Sequence, residues 1–179
     1  MLLCGLPGTG KSHLASLVSQ RHPVIVVRSD EVRKALFAQP QYSTAESGIV
    51  YLTCHALLRQ FLDDGHGVVF DATNLQRSGR KRVRDLAARA GAPVLTLLTI
   101  APNEVVAARL AQRATGATET YSSDANWLVH QKLAGTIEQV DALALVVDTS
   151  QPLEGALAEI DRFFAALGGP DASEPEESK

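Results

Sequence analysis

The chain has 179 residues, 45% of them hydrophobic and 21% charged, with a formal net charge of −3. That balance excludes a chain disordered throughout, and no apolar run approaches the ~18 residues of a spanning helix. Two cysteines and five scattered histidines exclude a disulfide framework and a four-ligand zinc site. The opening residues MLLCGLPGTGKS lack a basic stretch followed by an apolar one, so no signal peptide and a cytoplasmic location are expected. The whole −3 resides in the last eleven residues, GPDASEPEESK, so the body is formally neutral. A case for polyanion binding must therefore be local, and six of the seventeen bases do fall between 77 and 89.

In chain order, a short apolar strand is predicted at 2–4, then a glycine-rich loop and a helix over 11–21. A strand at 24–27 leads to a helix at 30–38. The capping box Ser43-x-x-Glu46 opens a helix over 44–63, which Asp64-Gly65 ends. A strand at 68–70 precedes the basic helix 78–90, closed by Gly91. A strand at 94–100, a helix at 103–114, a helix at 124–133, a strand at 143–147 and a helix at 153–167 complete the pattern. The strands read as continuous apolar runs, as strands buried on both faces of a parallel sheet do. Repeated β-α units imply right-handed crossovers and an α/β fold with a five-stranded parallel sheet between two layers of helices. The stretch 1–167 is expected to form one domain, and 168–179 an acidic, disordered tail.

Gly5-Leu6-Pro7-Gly8-Thr9-Gly10-Lys11-Ser12 matches GxxxxGK[ST] between a predicted strand and helix, the context this motif requires. Glycines let successive backbone amides turn inward as an anion-binding nest, and the helix adds its positive end. Lys11 is expected on the β and γ phosphates of a nucleotide and Ser12 on Mg²⁺.

Three further sets bear on the reaction. Asp30 and Arg33 follow the second strand, at the sheet edge where ligands sit. Asp30 could take the proton of a substrate hydroxyl and Arg33 could hold a substrate phosphate. On spacing alone, an N-cap acid with a solvated ion pair fits equally well. Asp71 ends a hydrophobic strand, where a carboxylate supports Mg²⁺; an Asx turn is the plainer alternative. Arg109 and Arg113 lie one turn apart before a small-residue break at 115–118, as in a lid near 109–123 that closes on phosphates, or simply on an exposed basic face.

Arg77, Arg80, Lys81 and Arg84 share one face of the helix 78–90, opposite Val83, Leu86, Ala87 and Ala90. That face can hold nucleic-acid phosphates or be plainly solvated, and no aromatic residue interleaves with it. Cys4 and Cys54 read as buried hydrophobes, and His13, His55 and His130 as structural. Tyr42, Tyr121 and Trp127 read as pocket walls or as partial core.

Together, GLPGTGKS, RSDEVR, DATNLQRSGRKRV and RLAQR resemble the P-loop kinases related to polynucleotide 5′-kinase, a pattern shared by many bacterial AAA-type ATP-binding kinases. The resemblance spans residues 2–133. It implies a P-loop NTPase kinase fold and ATP and Mg²⁺ as cofactors. In those terms Lys11 is the phosphate-binding lysine, Ser12 the Mg²⁺ hydroxyl and Asp71 the first acid of the D-x-T-N element. Asp30 is the general base, Arg33 the contact to the substrate phosphate, and Arg113 the lid arginine on ATP, with Arg109 one turn earlier. By fold analogy it also places the adenine contacts near 148–152 and in the lid. The stretch 115–123 departs from the pattern, since it holds no base and Glu119 is acidic.

The expected activity is transfer of the ATP γ-phosphate to a hydroxyl of a small molecule or to a polynucleotide 5′-hydroxyl. A nucleotide-dependent binding module that transfers nothing is the competing class. Nucleic acid is a possible partner through the 77–89 helix, and no membrane partner is expected.

Overall fold

The computed structural model describes residues 1–115 and 126–167. The tail and most of the expected lid, with Glu119 and Tyr121, lie outside the described residues. Five strands, β1 (Leu2–Cys4), β2 (Val24–Arg28), β3 (Gly67–Asp71), β4 (Thr96–Ile100) and β5 (Leu145–Asp148), form one sheet in the order β2-β3-β1-β4-β5. Every pairing is parallel. The described helices are α1 (Lys11–Arg21), α2 (Ser29–Leu36), α3 (Thr44–Asp63), α4 (Arg77–Arg89), α5 (Asn103–Ala114), α6 (Trp127–Ala134) and α7 (Glu154–Leu167).

Alternation along the strands divides the core into two layers. Leu2 and Cys4 of β1, with Val27, Val68 and Phe70, pack against Val50, Cys54 and Leu58 of α3 and Val83 of α4. Leu3, Val69, Leu97 and Val147 point the other way, onto Leu14 and Val18 of α1 and Leu157 and Ile160 of α7. Both cysteines are buried, as their apolar neighbourhoods imply, and burial pushes each thiol up to about 11.

Three expectations need correction. β4 and β5 each begin two residues later than predicted; for β5 the reason is the turn Asp141–Ala144, closed by the Ala144 amide on the Asp141 carbonyl (2.9 Å). Leu143, expected in a strand, is 95% exposed. The third concerns α4. Arg80, expected on the solvated basic face, is fully buried. The buried stripe of α4 runs through Arg80, Val83 and Ala87 rather than Val83, Leu86, Ala87 and Ala90. The guanidinium is accommodated because it donates to four carbonyls, those of Asn74 (2.9 Å), Leu75 (2.7 Å), Glu138 (3.3 Å) and Gln139 (2.6 Å). Arg80 thus ties the loop after β3 to the segment that precedes β5.

Candidate active site

The C-terminal ends of β1, β2 and β3 open into one cavity of about 390 Å³. Its floor is the loop between β1 and α1. Gly10, which caps α1, has φ +87°, and a Cβ there would lie 2.8 Å from Thr149 Oγ1. Gly5 is as constrained: a Cβ would meet Thr99 Oγ1 at 2.5 Å. Only glycine satisfies both the dihedral and the space.

The carbonyls of this loop are pinned outward one after another. Leu6 O accepts from Thr9 Oγ1 and Lys11 Nζ, each at 2.8 Å. Pro7 O accepts from His130 Nδ1 (2.8 Å). Gly8 O faces Arg109 Nη1 at 3.5 Å, and Thr9 O accepts from Thr149 Oγ1 at 2.9 Å. A trans peptide aims its N–H opposite to its C=O, so the bonded Pro7 and Thr9 carbonyls turn the Gly8 and Gly10 amides the other way, toward an anion site, while the Thr9 amide bonds to Leu6 O (3.3 Å).

Lys11 is buried, and burial pulls its ammonium below the usual lysine range, against the opposing pull of Asp71 and Asp30. Asp71 is buried beside it. Burial pushes its carboxyl up, while Lys11, a hydrogen bond from Ser12 and Arg28 hold it back. Parallel register sets Arg28 opposite Asp71 at the last pair of β2 and β3, with Nε 3.6 Å from Oδ2. Arg28 also reaches Glu31 (3.0 Å) and Ser16 Oγ (3.1 Å).

Asp30 lies in the first turn of α2 and lines the same cavity, as do Ser29, Glu31, Thr73 and, from the end of α5, Arg113. Arg113 is close enough to Lys11 to lower its proton affinity further, which places a second cation above the loop.

Two predicted residues have side chains engaged within the chain. Arg109 does not line the cavity; it donates to Thr149 Oγ1 (2.8 Å) and Thr149 O (2.7 Å) and braces the loop from behind. Thr149 is buried in that bracing, so the 148–152 segment meets the loop rather than the cavity. Arg33 does line the cavity, but its Nη1 is bonded to Glu46 Oε1 at 2.5 Å, its Nη2 to Ser47 Oγ at 3.3 Å, and it sits over the Tyr42 ring at 4.7 Å.

Glu46, expected only as a capping-box residue, is the centre of this wall. Ser43 Oγ accepts from its amide as the box requires (3.1 Å), while its carboxylate takes Arg33 and the amides of Gln41 (2.7 Å) and Tyr42 (3.1 Å). Burial alone would raise that carboxyl; the Arg33 and Gln41 hydrogen bonds outweigh it and leave it below its ordinary range. The D-A-T-N segment is also more structural than expected. Asn74, at φ +46° and buried, donates to Leu3 O (2.7 Å), and Thr73 O accepts from the Gly5 amide (3.1 Å).

The sequence reading gave Arg28, Glu46, His130 and Thr149 no place at the site. Arg28 stood only within RSDEVR, one residue past a predicted strand end; Glu46 read as a capping residue, His130 as structural, and Thr149 left no signal. On the helix 78–90, Arg84 is ion-paired with Asp141 and Lys81 with Asp85 (2.6 Å), so the basic face is largely neutralised within the chain.

The family model described as an AAA domain matches residues 1–138. An uncharacterised protein of Mycobacterium tuberculosis (strain ATCC 25618 / H37Rv) is 30% identical over 170 residues, covering 88% of this chain and 33% of that protein. The chain thus spans about a third of the length of the curated relatives it matches. A gluconokinase from Sinorhizobium meliloti 1021 superposes with a TM-score of 0.63 at 21% identity, over 93% of each chain. The APS kinase of Mycobacterium tuberculosis, in complex with AMPPNP and APS, superposes with a TM-score of 0.64 at 17% identity, over 92% of this chain and 96% of that one. At these identities the likeness is one of fold. The phosphate loop, the sheet order and the family match converge: the chain belongs to the AAA domain family and has the P-loop kinase fold.

Proposed function

We propose that this protein is an ATP-dependent kinase that transfers the γ-phosphate to a hydroxyl acceptor. The observation that carries the reading is the second acid. Asp71 and Ser12 already provide the polar pair beside the phosphate loop, yet Asp30 opens into the same cavity from a different element. A nucleotide switch has no use for that carboxylate, whereas an alcohol kinase needs a proton acceptor in the cavity that the phosphate loop opens into.

The loop amides, Lys11 and Arg113 bind and orient the triphosphate and offset the charge that spreads over the transferring phosphoryl. Asp30 accepts the acceptor's proton as its oxygen bonds to the γ-phosphorus, and the bond to the ADP oxygen breaks. Ser12 and Asp71 would hold Mg²⁺, a hydroxyl and one carboxylate being a donor set that suits an ion completing its shell with water and phosphate. When bound, that ion neutralises charge on the β and γ oxygens. Arg28 and Arg109 position, the first through Asp71 and the second through the loop.

The test is γ-labelled ATP with Mg²⁺ and separate acceptors, a 5′-hydroxyl oligonucleotide and a panel of small hydroxyl compounds. Label is expected on an acceptor. In Asp30→Asn it is expected to fall by about 10²–10⁴-fold with ATP binding retained. ATP binding with label on no acceptor would favour the switch instead.

A further inference from the structure

The two halves of the cavity differ in charge. The phosphate-loop half gathers Lys11, Arg113 and, from α6, Lys132. The half formed by the ends of β2 and β3, α2, the 37–43 loop and α3 holds Arg28 and Arg33 as its cations. Each already faces a carboxylate, Arg28 against Glu31 and Asp71, Arg33 against Glu46. Asp30 then adds a further negative charge with no cation of this half against it. An anionic acceptor would meet net negative charge in this half.

The same wall offers ring faces. Tyr51 is packed edge-on to Phe70 and bonded to Thr73 Oγ1 (3.3 Å). Tyr42 is 47% exposed at the cavity wall and sits at φ +53°, a conformation costly for a residue with a Cβ. Glu46 holds it there through the Tyr42 amide while it neutralises Arg33. One buried carboxylate thus removes a free cation from the subsite and presents an aromatic ring to it.

From this we infer that the acceptor is a hydroxyl compound with no anionic group, carrying an apolar or ring face that lies on Tyr42. Glu46 is the positioning residue that sets this preference, excluding phosphorylated and carboxylated acceptors by leaving them without a counter-charge. The inference rests on the kinase reading for the word acceptor, but the subsite's selectivity is a binding property that stands apart from turnover.

The test is direct binding by calorimetry to the full chain loaded with a non-hydrolysable ATP analogue. The probes are phenyl β-glucoside, gluconate and a dinucleotide with a free 5′-hydroxyl and a 3′-phosphate. The neutral glucoside is expected to bind about tenfold or more tighter than either anion. Tyr42→Ala, at an exposed position, is expected to lose that binding, and Tyr42→Phe to keep it. Glu46→Gln is expected to narrow the preference by freeing the Arg33 charge. Tighter binding of either anion in the wild type, or no binding by the glucoside, overturns the inference, as does an unchanged affinity in Tyr42→Ala. Label transfer from γ-labelled ATP in parallel samples separates the two claims: transfer favouring gluconate keeps the kinase and removes the neutral subsite. Glucoside binding with no label on any acceptor does the reverse.

Discussion

His55 shows how one core side chain carries a pH signature. It is buried on α3 in a triangle of rings with Tyr51 and Phe70, each centroid 6.2 Å from its own, and neither ring nitrogen has a partner. Burial, and secondarily the nearby Arg82, lowers its proton affinity below the ordinary 6.5. The unfolded chain therefore binds a proton that the folded chain refuses, and stability is lost as pH falls below about 6.5. Thermal melts should show a midpoint that declines from pH 7 toward pH 5. His55→Leu should flatten that decline and, by removing two unpartnered buried nitrogens, should not destabilise at pH 7. An equally steep decline in the variant would place the titration elsewhere. His55 read as a structural residue in the sequence, and so it is, but its missing partners are a property of packing alone.

At the scale of elements, two links hold the site to the fold. The first is α6. His130 is buried, stacks on Trp127 (5.0 Å, 9°) and donates to the Pro7 carbonyl. Loss of that bond frees the Pro7–Gly8 peptide to rotate its amide out of the nest. His130→Ala should raise the ATP dissociation constant about fivefold, the worth of one hydrogen bond, and His130→Gln should recover part of it. Unchanged ATP affinity in His130→Ala would confine the residue to packing. The second link is Arg80. Arg80→Met strips four carbonyls of their donor in a buried setting and should cost about 3 kcal/mol in urea unfolding. Arg80→Lys should recover only a fraction, because one ammonium cannot span carbonyls on two segments. If Arg80 instead served a surface for polyanions, Arg80→Met would leave stability intact and weaken oligonucleotide binding.

For the whole molecule, the consequence is linkage between ligand and stability. A ligand that binds only the folded chain adds about 2.7 kcal/mol at a hundredfold excess over its dissociation constant. Saturating ATP with Mg²⁺ should therefore raise the melting temperature by several degrees. Asp30→Asn should keep that rise, since the proposed mechanism uses Asp30 on the acceptor's proton rather than on the phosphates. Lys11→Ala should lose most of it. The reverse ranking would exchange the roles of the two residues. No described helix is long and apolar enough to cross a membrane.

Local chemistry determined the elements and the phosphate loop. Buried strands are continuous apolar runs, α3 is bracketed by Ser43 and Asp64 where its cap signals stand, and GLPGTGKS needs only a strand before it and a helix after it to become an anion nest. Asp71 was legible for the same reason, as the last residue of such a run. What side chains do across the sheet edge is a matter of register and of loops that meet in space. Parallel pairing set Arg28 against Asp71. The segment after β5 brought Thr149 to the loop and Arg109 to Thr149, drawing an arginine expected at phosphate into bracing. The 138–139 carbonyls, remote in sequence from α4, turned Arg80 from a solvated base into a buried tie. Glu46 met half of its capping pattern, its amide on Ser43, while its carboxylate turned to Arg33 and the amides of Gln41 and Tyr42. A helical periodicity gives the face on which a charge lies, but only the folded chain brings the partner that decides whether the charge remains available.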